Sequence, residues 1–96
     1  MKQVQEFSVS TYETSLSVPD NARGVSVTYS PMNKNIVLCF ECEAVTTYFK
    51  TRKFKRIPSW GDIPDNAKYC GSAIMVEEPQ FAGSPTQTLW HVYELF

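Results

Sequence analysis

Tyr12-Glu13-Thr14-Ser15-Leu16-Ser17-Val18 alternates residue by residue, with Tyr12, Thr14, Leu16 and Val18 in one set and Glu13, Ser15 and Ser17 in the other. A period of two puts the sets on opposite faces of an extended chain, so this stretch reads as a half-buried β-strand. The same period continues in both directions. Phe7 and Val9 alternate with Glu6 and Ser8, and the phase slips near Ser10 and Thr11, which reads as a hairpin. Pro19-Asp20-Asn21-Ala22-Arg23-Gly24 is turn chemistry: proline presets φ, Asp and Asn bond the local backbone, and glycine accepts positive φ. Val25, Val27 and Tyr29 form one face of a third strand, followed by a hairpin loop at residues 30–35. Ile36-Val37-Leu38-Cys39-Phe40 is apolar on both faces, which predicts a central strand over residues 36–44. A strand at 46–57 is expected to pair with it across a tight turn at 44–47. A loop at 58–68 contains Trp60-Gly61. Strands at 69–76 and 88–96 are separated by a turn-rich loop at 77–87. No segment carries a 3.6-residue period. The expected fold is all-β or mostly β: one small antiparallel sheet or sandwich-like domain of about six or seven short strands, spanning residues 1–96.

Ninety-six residues with nine basic and ten acidic side chains make a single domain of near-zero net charge. A chain this short buries a thin core and gains from self-association, so a homo-oligomer is expected. The three cysteines, Cys39, Cys42 and Cys70, are too few and too odd in number for a disulfide framework, and point to a reducing cytoplasm. No apolar run has the length of a membrane span.

The basic residues are not evenly spread. Lys50, Arg52, Lys53, Lys55 and Arg56 fall within seven positions, with Phe49 and Phe54 interleaved; outside that stretch four basic residues face ten acidic ones. Such a cluster reads either as an edge strand whose charges block aggregation or as a local anion site, with arginine forking onto phosphate and lysine supplying a point charge. Duplex nucleic acid is disfavoured, because it calls for net positive charge and a wider basic face. Trp60, four residues after Arg56, is either a cover over the core or a platform for a base. Cys39 and Cys42 have metal-ligand spacing but on a strand their sulfurs point to opposite faces, so no metal site is expected. His91 is the sole imidazole, set in Leu89-Trp90-His91-Val92-Tyr93-Glu94; it reads as structural or as a polar contact to ligand, and no nucleophile–base motif is recognisable around it. Val18-Pro19-Asp20-Asn21-Ala22-Arg23 is echoed by Ile63-Pro64-Asp65-Asn66-Ala67-Lys68, each leading into a strand; two strands that need the same kind of turn account for the echo.

Val18-Pro19, Gly24-Val25, Val27, Phe54, Trp60-Gly61, Ile63-Pro64, Tyr69-Cys70-Gly71-Ser72 and the closing Leu89-Trp90-His91-Val92-Tyr93-Glu94 together resemble a family of small proteins encoded by tailed bacteriophages. The resemblance spans most of the chain, and the terminal Trp-His-Val-Tyr-Glu is its most specific part. The loop departs from the pattern, which has glycines on both sides of a small residue where this chain reads Ser59-Trp60-Gly61. The resemblance implies an accessory protein acting in the host bacterial cytoplasm, in the manner of β-rich, non-enzymatic oligomers that sequester cyclic-nucleotide immune signals. In that setting Arg52, Lys53, Lys55 and Arg56 would meet phosphates, Trp60, Tyr69 or Trp90 would stack on a base, and His91 would add a polar contact. No cofactor is called for. The alternatives are an inhibitor that binds a host protein through its basic and aromatic surface, and a minor virion component.

Overall fold

In the computed structural model, which describes residues 2–9, 11–43, 48–79 and 83–96, the chain forms seven antiparallel strands. They are β1 (Lys2–Val9), β2 (Glu13–Pro19), β3 (Arg23–Ser30), β4 (Asn35–Glu43), β5 (Phe49–Pro58), β6 (Ala67–Glu77) and β7 (Thr86–Leu95). They divide into a three-stranded sheet of order β1-β4-β3 and a four-stranded sheet of order β2-β5-β7-β6. No helix occurs among the described residues, so none there is long and apolar enough to cross a membrane.

The all-β expectation and the strand positions hold, but two of the expected pairings do not. β1 and β2 do not form a hairpin: β1 pairs with β4, and β2 pairs with β5. The strand at 36–44 does not pair with the basic strand either, since β4 and β5 lie in different sheets. The reason lies in their side chains. Each carries an apolar inner face, and the two faces meet across the core, with the Phe40 and Phe54 rings edge to face at 5.9 Å. Stacking buries both faces, whereas pairing side by side would bury neither against the other. The turn expected at 44–47, the phase slip at Ser10 and positions 80–82 of the last loop lie outside the described residues. The β3–β4 hairpin and the central place of β4 are as expected.

The core is built from Val9, Ile36, Leu38, Phe40 and Cys42 of one sheet and Val18, Phe54, Trp90 and Val92 of the other. At one side the sheets close on each other. β3 and β6 approach so nearly that a Cβ at Gly71 (φ +153°) would lie 2.9 Å from Val27 Cγ2. Because β5 and β6 flank β7 and both run antiparallel to it, the link at 59–66 must carry the chain across β7. It starts by folding back on Ile57, which points away from the core yet is only 4% exposed; a Cβ at Gly61 would run into Ile57 Cγ2.

Candidate functional site

β5 is not an edge strand: it lies between β2 and β7. Its alternation sends Arg52, Phe54 and Arg56 into the sandwich and Lys53 and Lys55 out of it. An internal strand tolerates two arginines on its buried face because each is occupied there. Arg52 Nε donates to Glu94 Oε2 at 2.6 Å and Nη2 to Oε1 at 2.5 Å, a forked pair. The Arg52 guanidinium also lies 5.0 Å from the Phe40 ring centre and 5.6 Å from that of Phe54. The hydrogen bonds to Glu94 hold the Arg52 proton more tightly than usual. Arg56 stacks on Trp90, 4.5 Å from the ring centre, and reaches Asn35 Oδ1 at 3.4 Å.

The eight residues expected to bind ligand therefore do not converge. Trp90 is 8% exposed and covered by Arg56 and by Tyr12, whose ring meets it edge to face at 5.7 Å. Its expected role as a base platform is corrected, since neither of its faces is open. Arg56 is spent on that same stack. Lys53, Lys55, Tyr69 and His91 lie on the outer face of the four-stranded sheet, opposite the side that holds Arg52 and Arg56. Trp60, 78% exposed, stands on the link that crosses β7 and does not cover the core. Of the eight, Arg52 and Tyr69 border a common cavity.

That cavity is a cleft of about 390 Å³ where the two sheets meet at the starts of β3 and β6, within the size range of small-molecule sites. Arg23 and Lys68 enter it from those two strands, Arg52 and Glu94 from β5 and β7, Phe40 adds an apolar wall, and Tyr69 borders the mouth from the outer face of β6. The walls thus carry three cations and one carboxylate, and the carboxylate is already engaged by Arg52. Arg23 and Lys68 have no ion pair among the described residues. The Cys70 thiol also lines the cleft, and burial, with Glu94 nearby, pushes its pKa up, so it is neutral at physiological pH.

Arg23 and Lys68 are the last residues of the two echoed hexapeptides. Each turn delivers its cation to the first residues of a strand, and β3 and β6 then pack against each other across the sheets. The turns differ in backbone: the first places Gly24 at φ +62°, the second places Asn66 at φ +53°. Sequence reasoning noted the echo but assigned its cations no role. It also missed Glu94. The alternation of Trp90, Val92 and Glu94 on one face of β7 was the available signal, since a carboxylate on an apolar face requires an internal cation.

Cys39 and Cys42 lie on opposite faces of β4, as expected, with Cys42 buried and Cys39 partly open. Comparisons with family models, with curated proteins and with solved structures found no match.

Proposed function

We propose that this protein is a non-enzymatic binding module that sequesters a small phosphate-bearing ligand of the cyclic-nucleotide class in the cleft between its sheets. The observation that carries the reading is the convergence of Arg23, Arg52 and Lys68 on one cleft with a single, already paired carboxylate. Arginine and lysine in a partly desolvated concavity favour an anion such as a phosphate group, whose paired oxygens accept arginine's forked hydrogen bonds. Tyr69 is half exposed where the outer face of β6 meets the cleft mouth, within reach of a ligand that extends past the opening. The resemblance to small tailed-phage proteins supplies the setting, which is capture of a host immune signal in the host cytoplasm.

Capture and release tests the reading. The protein is mixed with a panel of cyclic di- and trinucleotides, the free fraction is measured, and the protein is heat-denatured and the solution measured again. A ligand that is depleted and returns intact supports sequestration. Arg23→Glu with Lys68→Glu is expected to lower the affinity at least a hundredfold while the far-ultraviolet circular dichroism is unchanged. No depletion of any phosphate-bearing compound rejects the reading. Charge reversal at Arg52 is the wrong probe, because it would leave Glu94 facing a second carboxylate in the interior.

A second reading is favoured by a separate observation. Trp60, Ile63, Ile74 and Leu89 are all substantially exposed, on the crossing link and on the neighbouring outer face of β6 and β7. That apolar surface suits a protein partner, either a host protein or another copy of this chain.

A further inference from the structure

On the outer face of the four-stranded sheet three hydroxyl and imidazole groups form a continuous chain, of which only Tyr69 also borders the cleft. The Tyr69 hydroxyl lies 2.5 Å from Ser72 Oγ, and Ser72 Oγ lies 2.5 Å from His91 Nδ1. In a regular strand residues 69 and 72 would point to opposite faces. Here β6 carries a bulge. Tyr69 is opposite Tyr93 and Gly71 is opposite Val92, so β6 advances two residues while β7 advances one. Cys70 is the extra residue, and the φ of +153° at Gly71 accommodates the kink. The bulge reverses the phase of the strand, which places Tyr69 and Ser72 on the same side and sets Ser72 directly across from His91. Re-aiming a side chain in this way is a recurrent use of bulges. The Tyr69 ring lies against both the His91 ring (6.3 Å between centres) and the Tyr93 ring (5.5 Å), which fixes its hydroxyl over Ser72.

We propose that Ser72 is an activated nucleophile that accepts an acyl group from small carboxylic esters, with His91 as its base and Tyr69 as a positioning donor. The Tyr69 hydroxyl donates to Ser72 Oγ, which leaves the single serine proton directed at His91 Nδ1. A nucleophile held by a base, with a third group orienting the pair, is the arrangement that covalent catalysis requires. Ser72 Oγ forms a bond to the ester carbonyl carbon as its proton passes to Nδ1. The ester C–O bond then breaks, its electron pair leaves with the alkoxide or phenoxide, and the imidazolium returns the proton to it. The product is an acyl-serine ester and a free alcohol. Once Oγ is acylated it is a poor acceptor, so the Tyr69 hydroxyl is released to bond the carbonyl oxygen. With one such donor, acylation is expected to be stoichiometric, and hydrolysis of the acyl-serine slow. Ser72 and His91 are both partly exposed, so a small ester can reach them. Neither Ser72 nor His91 lines the cleft, so acylation of Ser72 is read separately from ligand capture there.

The test is incubation of the full chain with p-nitrophenyl acetate, followed by peptide mapping for acetyl groups before and after alkaline hydroxylamine, which cleaves serine esters and spares lysine amides. The expected result is a hydroxylamine-labile acetyl on Ser72, absent in Ser72→Ala, at least tenfold slower to form in His91→Ala, and restored in that variant by added imidazole. Tyr69→Phe is expected to slow acylation severalfold without abolishing it. The proposal is overturned if acetyl appears only as hydroxylamine-stable lysine amide. It is also overturned if Ser72 is acylated as fast in His91→Ala without imidazole, or if imidazole fails to restore the reaction there.

Discussion

The charge that most shapes this molecule is Glu94, 6% exposed on the inner face of β7. Its forked bond to Arg52 is the condition on which both are tolerated inside. Removing one member of such a pair is expected to cost about 3–5 kcal/mol, because the other is left buried without its counter-charge, whereas replacing both with apolar residues of similar size is close to neutral. Urea denaturation should therefore show Glu94→Gln and Arg52→Met strongly destabilised, and Arg52→Met with Glu94→Leu much closer to the parent; three equal losses would contradict the pairing argument. Arg56 differs. It has no ion pair among the described residues, and its Nε has no acceptor among the described protein atoms. Arg56→Met exchanges a stack on Trp90 for an apolar contact of similar length, and relieves an unsatisfied N–H. Its unfolding free energy is expected to stay within about 1 kcal/mol of the parent, well above that of Arg52→Met.

At the scale of elements, two glycines hold the four-stranded sheet in its form. Gly61 lets the link between the parallel strands β5 and β6 fold onto Ile57, and Gly71 lets β6 kink where it meets β3. Gly71→Ala combines an unfavourable φ with a contact of 2.9 Å to Val27 Cγ2. A loss of about 1–3 kcal/mol is expected, of which Val27→Ala in the same chain should recover only the steric part. Full recovery would mean that the backbone conformation at Gly71 is unimportant. The bulge that Gly71 permits also puts Tyr69, Ser72 and His91 together, so Gly71→Ala should lower Ser72 acylation as well as stability.

The whole molecule is a thin, elongated sandwich measuring 49 × 31 × 17 Å, with a radius of gyration of 14.5 Å; a compact chain of this length would have about 12.5 Å. A thin sandwich with Trp60, Ile63, Ile74 and Leu89 exposed on one side is expected to self-associate. Sedimentation equilibrium should give a mass above the 10.9 kDa of one chain, and Ile74→Lys should lower it; a monomer at all concentrations would leave that surface to another partner. Stability also depends on pH through the thiols. Burial raises the pKa of Cys39, Cys42 and Cys70 above the ordinary value of 9.0. Above that value the unfolded chain ionises its thiols before the folded chain does, so the unfolded state binds fewer protons and stability falls as pH rises. The contribution is complete below pH 9.0 and is lost through the higher folded values. Cys42→Val is expected to show a smaller drop in melting temperature between pH 8 and pH 10 than the parent.

Much of this was legible in the chain. Alternation at Tyr12–Val18, doubled apolarity at Ile36–Phe40 and turn chemistry around Pro19 and Pro64 determined the strands and their positions, because those signals arise from neighbours along the backbone. Alternation also determined that Cys39 and Cys42 diverge, and that Arg52 and Arg56 share a face. What it left open was which face is inside and which strand lies beside which. Both depend on contacts between residues far apart in sequence. Phe40 against Phe54, and Arg52 against Glu94, decide that β4 and β5 stack and do not pair. The cleft cations and the serine–imidazole contact were invisible for the same reason. Arg23 and Lys68 meet only because β3 packs on β6, and Ser72 faces with Tyr69 only because one extra residue at Cys70 reverses the phase of the strand.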